Sequence, residues 1–289
     1  MNRLTALALA FAALASIMPS AASAMAGDRE VARVVAFGGS CVKCELSGRK
    51  LAGARFIGAD FAGAALVGAD LRQARFIGAR FTGADLSRAD LSDTQIMGTD
   101  FTAAKLAKAS LDSAEADAVN FARADLSGAD ADDLRAQASN FERASLNGTS
   151  LRDANLLSSN LERVDARKAD FRDADLRHAN LAGGRFDGAD FTDATLTGAN
   201  LSGGVFHGAD FSDADLSRVS LNGLDLSHAA GLEQEQLDQA CGDGATRLPP
   251  GLVLRACNGR RLPAARPPGP PRPPEPPAPV SIRRLVAID

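Results

Sequence analysis

Four cysteines, three histidines and a large population of aspartates are the residues of this chain that could do chemistry. Cys41 and Cys44 have two residues between them, a spacing used by dithiol redox centres and by metal sites. No alternation of strand and helix of the thioredoxin kind surrounds Cys41-Val-Lys-Cys44, so a structural role or a pair of free thiols is expected. Cys241 and Cys257 stand sixteen positions apart and are expected to close a disulfide in an oxidising compartment, with Cys41–Cys44 the second candidate. His178, His207 and His228 occupy polar surroundings without an obvious third ligand. The aspartates recur periodically, so no acid–base pair stands out from the rest. No glycine-rich loop follows a strand, and no nucleophile has a recognisable base. The expectation is a protein that is not an enzyme and needs neither cofactor nor metal ion.

The elements that must position these residues follow from composition and period. Of 289 residues 45% are hydrophobic but only 5% aromatic, with no Trp and no Tyr, which leaves Ala, Leu and Phe to build a core. Leu, Phe, Ile or Ala stands at every fifth position from Leu46 to Leu226, through 37 pentads without a slip of register. Ala fills 23 of the 37 positions two residues earlier, and Asp or Asn fills 20 of those between. On a helix each step of five rotates by about 140°, smearing the apolar residues around every face. On a strand an odd step throws them alternately into core and water. A backbone that turns a corner every pentad escapes both problems, and four sides close a coil of roughly 20 residues stacked at about 4.8 Å. Every central side chain then points to the axis, with Gly, Ser, Asp and Asn suited to the corners.

The pattern in "GADLSRADLS" (83–92) and "RKADFRDADLRHANLAGG" (167–184) resembles the pentapeptide repeat family, over residues 46–230. The resemblance implies an all-β solenoid, a right-handed quadrilateral β-helix whose coils touch only their neighbours. The 37 pentads correspond to about nine coils and a rod on the order of 44 Å long. A period of 20 lines up Phe61, Phe81, Phe101, Phe121 and Phe141 on one face, and Phe171, Phe191 and Phe211 on another. It also brings His207 close to His228, and it sets the two cysteine pairs roughly 40 Å apart, which excludes a four-thiolate zinc site. Ala replaces the large central residue at Ala116, Ala131, Ala136 and Ala166, each near an unusually large inner neighbour: Val119, Leu134 or Val164. A continuous stack is expected there, with a loop near 113–138 as the alternative.

The remaining segments differ in character. Residues 1–24 read as a signal peptide, with Arg3, an apolar stretch from Leu4 to Met18 and small residues at Ala22 and Ala24; cleavage after Ala26 competes with cleavage after Ala24. Residues 25–45 are expected to form an N-terminal cap and 231–259 a C-terminal cap, with a helix over 232–241. Residues 260–289 hold ten prolines between 263 and 279 and read as a disordered Pro/Arg-rich tail.

The function expected is an exported, periplasmic or extracellular scaffold or protein-binding rod, its partner an unknown protein or envelope component. Nucleic acid is not expected, the formal charge being only −4, and neither is a membrane span, because no segment after residue 24 is long and apolar enough. Two alternatives come from different classes. One is DNA mimicry, as in the quinolone-resistance members of the family that engage type II topoisomerases; the signal peptide argues against it, as do 21 Lys and Arg among 28 Asp and Glu over 41–230. The other is an enzyme with an unrecognised site. A local asymmetry, net −5 over residues 185–230 against net +4 in the side chains of 260–289, suggests a salt-sensitive association of the six tail arginines with the seven aspartates of 185–230.

Overall fold

The computed structural model describes residues 38–257, and within them the backbone changes direction every five residues. The expected signal peptide, most of the N-terminal cap and the Pro/Arg-rich tail lie outside the described residues. Residues just before the central ones pair in parallel with their counterparts twenty positions on, from Ser40↔Asp60 to Asp210↔Ala230. Four sides therefore stack separately. Side 1 contains the pentads centred on Cys41, Phe61, Phe81 and so on to Leu221. Side 2 starts from Leu46, side 3 from Leu51 and side 4 from Phe56. Sides 1 and 3 lie opposite each other across the coil.

The pentad explains itself through its five amide groups, all of which find an acceptor in residues 84–88. In 84–88, the Ala84 N–H closes a turn on the Phe81 carbonyl at 2.9 Å. Asp85 donates to Ala64 of the previous coil at 2.8 Å, while Leu86 and Arg88 donate to Lys105 and Ala107 of the next at 2.7 and 3.0 Å. The fifth amide, of Ser87, is taken by the Asp85 side chain at 3.1 Å. Asp or Asn is thus favoured before the centre because its carboxyl or amide oxygen satisfies the one N–H that no carbonyl reaches. The corner residue two places after the centre has positive φ, as at Gly68 (φ 63°), which suits glycine. Twenty-one other residues adopt it too, six of them aspartates, a type that tolerates the left-handed region.

Side 4 opens differently. Its first three pentads are extended as strands β1 (Arg55–Ile57), β2 (Arg75–Ile77) and β3 (Gln95–Met97), paired in parallel and in register. Phe and Ile in these runs favour a pleated, half-buried backbone over a tight turn.

The interior is filled by compensation. Ala116, Ala131, Ala136 and Ala166 are fully buried, as are Val119, Leu134 and Val164 beside them. The ladder passes through this region without a loop, by way of Glu115↔Arg135 and Ser110↔Asp130. The converse occurs at Phe186 and Phe206, preceded by Gly184 and Gly204 instead of Ala. A Cβ on either glycine would lie 2.6 or 2.7 Å from the Phe ring that follows, so the ring takes the space the methyl would need.

After Ala230 the register shifts. Ser220 pairs with Cys241 and Asp225 with Arg247, offsets of 21 and 22 in place of 20. The intervening helix α1 (Gln234–Asp238) is shorter than the span 232–241 expected from its apolar spacing. The physical reason lies in its far end. The Gln239 and Cys241 carbonyls accept the Arg218 and Leu221 amides at 3.0 and 2.7 Å, and backbone that serves the ladder is unavailable to a helix. Gln236 donates to the Phe211 and Ala214 carbonyls at 2.7 and 2.9 Å, and Leu237 is buried below it.

Candidate binding surface

The chemistry-bearing residues fall into place along this stack. Cys41 and Cys44 are bonded to each other, Cα atoms 5.2 Å apart, at the first coil. Cys41 occupies the inward centre of side 1, one pentad earlier than Leu46, the first position of the sequence repeat; its register with Phe61 twenty positions on is the signal that places it. Cys241 and Cys257 are bonded at the other end, Cα atoms 5.0 Å apart. His207 and His228 lie with ring centroids 4.6 Å apart, and the Ser227 hydroxyl sits 3.1 Å from His228 Nδ1. Among the described residues no group of three or more His, Cys, Asp or Glu is placed to hold a metal ion.

Inside side 1, Phe61, Phe81, Phe101, Phe121 and Phe141 stack with successive centroids 4.8 to 5.2 Å apart. Inside side 3, Phe171, Phe191 and Phe211 do the same at 5.0 and 5.2 Å. Two shorter pairs belong beside them. Phe56–Phe76 on side 4 meets the first ladder edge to face, and Phe186–Phe206 on side 2 meets the second at a tilt.

Outside, the sides differ sharply in charge. The outward residues flanking the centres of side 3 comprise fourteen Asp against Lys50, Arg72, Arg152 and Arg172, a net of −10. The other three sides together are close to neutral. A count along the chain mixes all four sides and sees only a balanced surface; sorting residues by a period of 20 reveals the segregation. The surface over 41–230 is therefore not uniformly mixed, as the linear count suggested.

Three arginines show how this side holds a guanidinium. Arg72 donates through Nε and Nη2 to Asp70 at 2.9 and 2.8 Å, with Asp90 of the next coil 3.5 Å from Nε. Arg172 repeats the arrangement on Asp170 at 2.8 and 2.5 Å, with Asp190 at 3.6 Å. Arg152 bonds Asp132 and lies 3.9 Å from Asp170. The Arg72 guanidinium holds the Asp70 carboxyl below the ordinary carboxylate range. Asp112 is moved the other way: burial pushes it up, and Asp130, Asp133 and Asp93 add repulsion. One corner column holds Asp133, Asp153, Asp173, Asp193 and Asp213 in five successive coils, their carboxylates without an ion-pair or hydrogen-bond partner among the described residues.

Side 1 answers with amides. Asn120, Asn140, Asn160, Asn180 and Asn200 form a ladder in which each Nδ2 donates to the Oδ1 of the residue one coil back, at 2.9 to 3.2 Å. Side 4 adds a small apolar ridge, Ile57, Ile77 and Met97, beside Arg55 and Arg75; Met97 is 60% exposed. No helix among the described residues is long and apolar enough to cross a membrane.

The family described as Pentapeptide repeats matches the chain over residues 40–76, 54–93, 65–102, 94–130, 137–173, 169–208 and 196–230. Among solved structures, the chain is similar to HetL, a pentapeptide repeat protein involved in heterocyst differentiation regulation from the cyanobacterium Nostoc sp. strain PCC 7120. Identity is 26%, over 74% of this chain and 91% of that one, with a TM-score of 0.36. QnrB1, a plasmid-mediated fluoroquinolone resistance protein, is 23% identical over 73% of this chain and 92% of its own, TM-score 0.30. A pentapeptide repeat protein of the Arabidopsis thaliana thylakoid lumen is 32% identical over 35% of this chain and 62% of its own, TM-score 0.23. No curated protein matches the chain.

Proposed function

Since the chain belongs to the pentapeptide repeat family, whose fold is a right-handed β-helix, we propose that it is a non-catalytic exported rod that binds a protein or envelope component. In this reading about nine coils form the rod, residues 25–45 and 231–259 close its ends, and the two disulfides hold those ends in an oxidising compartment. The observation that carries the binding role is the segregation of charge to side 3. An uninterrupted ladder repeats its outward side chains at a fixed step of about 4.8 Å, which suits recognition of something equally extended. The amide ladder of side 1 is internally satisfied and offers little to a partner.

The acidic side also favours a second reading, in which the rod imitates the charge of DNA toward a DNA-binding protein. The two readings separate by compartment. Fractionation of the producing cell, with N-terminal sequencing of the mature chain, tests the first: a chain starting after Ala24 or Ala26 in the exported fraction supports it. A cytoplasmic chain retaining residues 1–24 overturns it and leaves the second. Cys241→Ser with Cys257→Ser bears on the same question. Loss of the bond is expected to cost roughly 3 kcal/mol in the chain-entropy view, read by denaturant unfolding of the oxidised protein.

A further inference from the structure

The carboxylate column of side 3 is costly as it stands. Asp133, Asp153, Asp173, Asp193 and Asp213 repeat at one coil step, about 4.8 Å, and like charges at such spacing repel by roughly 1 kcal/mol even in water. The hydrogen bonds that give other aspartates of this side a structural role do not reach these five. Asp190 and Asp210, for instance, accept from Thr192 and Ser212 at 2.6 Å, whereas the corner residues face outward. The same side shows what it takes up. Arg72, Arg152 and Arg172 each lie within reach of carboxylates from two different coils, so the lattice seats guanidinium groups wherever the chain supplies one.

The chain supplies six more. Residues 258–289 carry Arg260, Arg261, Arg266, Arg272, Arg283 and Arg284 against Glu275 and Asp289. We propose that this C-terminal segment lies along side 3 of its own rod and places its arginines against the Asp133–Asp213 column. Charge complementarity is the first argument: a side of net −10 meets a segment of net +4 in side chains. Reach is the second. The chain leaves the described structure at Cys257, beside Ser220 at the same end of the rod as Asp213. The segment's 32 residues would span roughly 100 Å in extended polyproline form, against about 40 Å for the whole of side 3. Spacing is the third. Arg266 and Arg272 are six residues apart, and in a polyproline conformation six residues make a whole number of turns, which would put both on one face about 19 Å apart. Four coil steps, the distance from Asp133 to Asp213, also come to about 19 Å. Occupancy by this segment covers the charged side and leaves it open only to a partner that competes for it. The inference stands whether or not the chain is exported.

The test uses the full mature chain with one nitroxide label at a time. Ser113→Cys places it on side 3, and Ala122→Cys places it on side 1, opposite. Both native cysteine pairs are bonded, so the new thiol is the only one free among the described residues. The arginine Nε–H resonances of residues 258–289 are expected to lose intensity with the label at 113 and to keep it with the label at 122. Molar salt, where the Debye length falls to about 3 Å, restores the intensity. Replacing Asp133, Asp153, Asp193 and Asp213 by Asn should restore it as well; Asn tolerates positive φ, so the fold survives the change, which circular dichroism checks. Equal broadening from both labels, broadening from neither, or broadening that persists after the Asn replacements overturns the proposal.

Discussion

Sides 1 and 3 place Asx residues at the same point of the pentad, and those residues do the same local work. On side 1 the Asn120 and Asn160 oxygens accept the amides of Ala122 and Glu162. On side 3 the Asp190 and Asp210 oxygens accept those of Thr192 and Ser212. Their second function separates them. An amide both donates and accepts, so a column of asparagines satisfies itself from coil to coil. A carboxylate only accepts, so a column of aspartates needs cations or hydroxyls from elsewhere. One atom of chemistry per residue makes side 1 a closed surface and side 3 an open one. The difference costs the fold little, because both sides rest on the same backbone ladder and on similar Phe stacks.

The largest expected effects test that last statement. Phe101→Ala inside side 1 and Phe191→Ala inside side 3 should each lose about 3–5 kcal/mol in denaturant unfolding. A clearly smaller loss on side 3 would mean that its surface repulsion already loosens the core beneath. Next comes an exchange of the two chemistries. Asn160→Asp puts a carboxylate into the amide ladder, removes the donor that Asn140 Oδ1 accepts from, and should cost about 1–3 kcal/mol. The reverse change on the open side, Asp193→Asn, should stay within about 0.5 kcal/mol or stabilise. Equal penalties for the two would erase the distinction.

A finer test lies just inside side 1, where Ser139 and Ser159 hold the same position one coil apart. The Ser139 hydroxyl accepts from the Val119 amide at 2.9 Å and donates to the Ala116 carbonyl at 2.7 Å. The Ser159 hydroxyl is buried without a partner. Ser139→Ala should therefore cost about 1 kcal/mol, while Ser159→Ala, which restores the usual residue of the repeat, should be neutral or stabilising. Thermal unfolding of the two variants should move in opposite directions or differ clearly in size.

The smallest effect is a pH dependence on side 3. Burial and its acidic neighbours raise the Asp112 pKa in the folded chain, so its ionised form opposes folding. Asp112→Asn should stabilise at neutral pH, by no more than about 0.5 kcal/mol. The gain should shrink as pH falls through the raised folded value and vanish below the unfolded value, where Asp112 is neutral in both states. A gain that grows on acidification would reverse the sign and remove the like-charge explanation.

Period five, the inward centres and the parallel stack were legible in the sequence, because burial demands one apolar residue per side of each coil, and Ala and Asp or Asn recur before it at the same interval. The step of 20 likewise puts Phe61 in line with Phe141 and Phe171 in line with Phe211 from numbering alone. Other features needed the folded chain. The length of α1 depends on which carbonyls the last coil claims, and the extended backbone of side 4 on how Phe56, Phe76 and Ile96 pack. Ser139 and Ser159 look identical in sequence, and only the geometry of the neighbouring turn distinguishes a satisfied hydroxyl from an orphan. Charge shows the contrast most plainly. Along the chain acidic and basic residues are interleaved, 28 against 21 over residues 41–230, because the chain passes through all four sides in turn. Folding sorts them by their place in the coil, at distances where carboxylates repel and guanidinium groups bridge, and the acidic side exists only after that sorting.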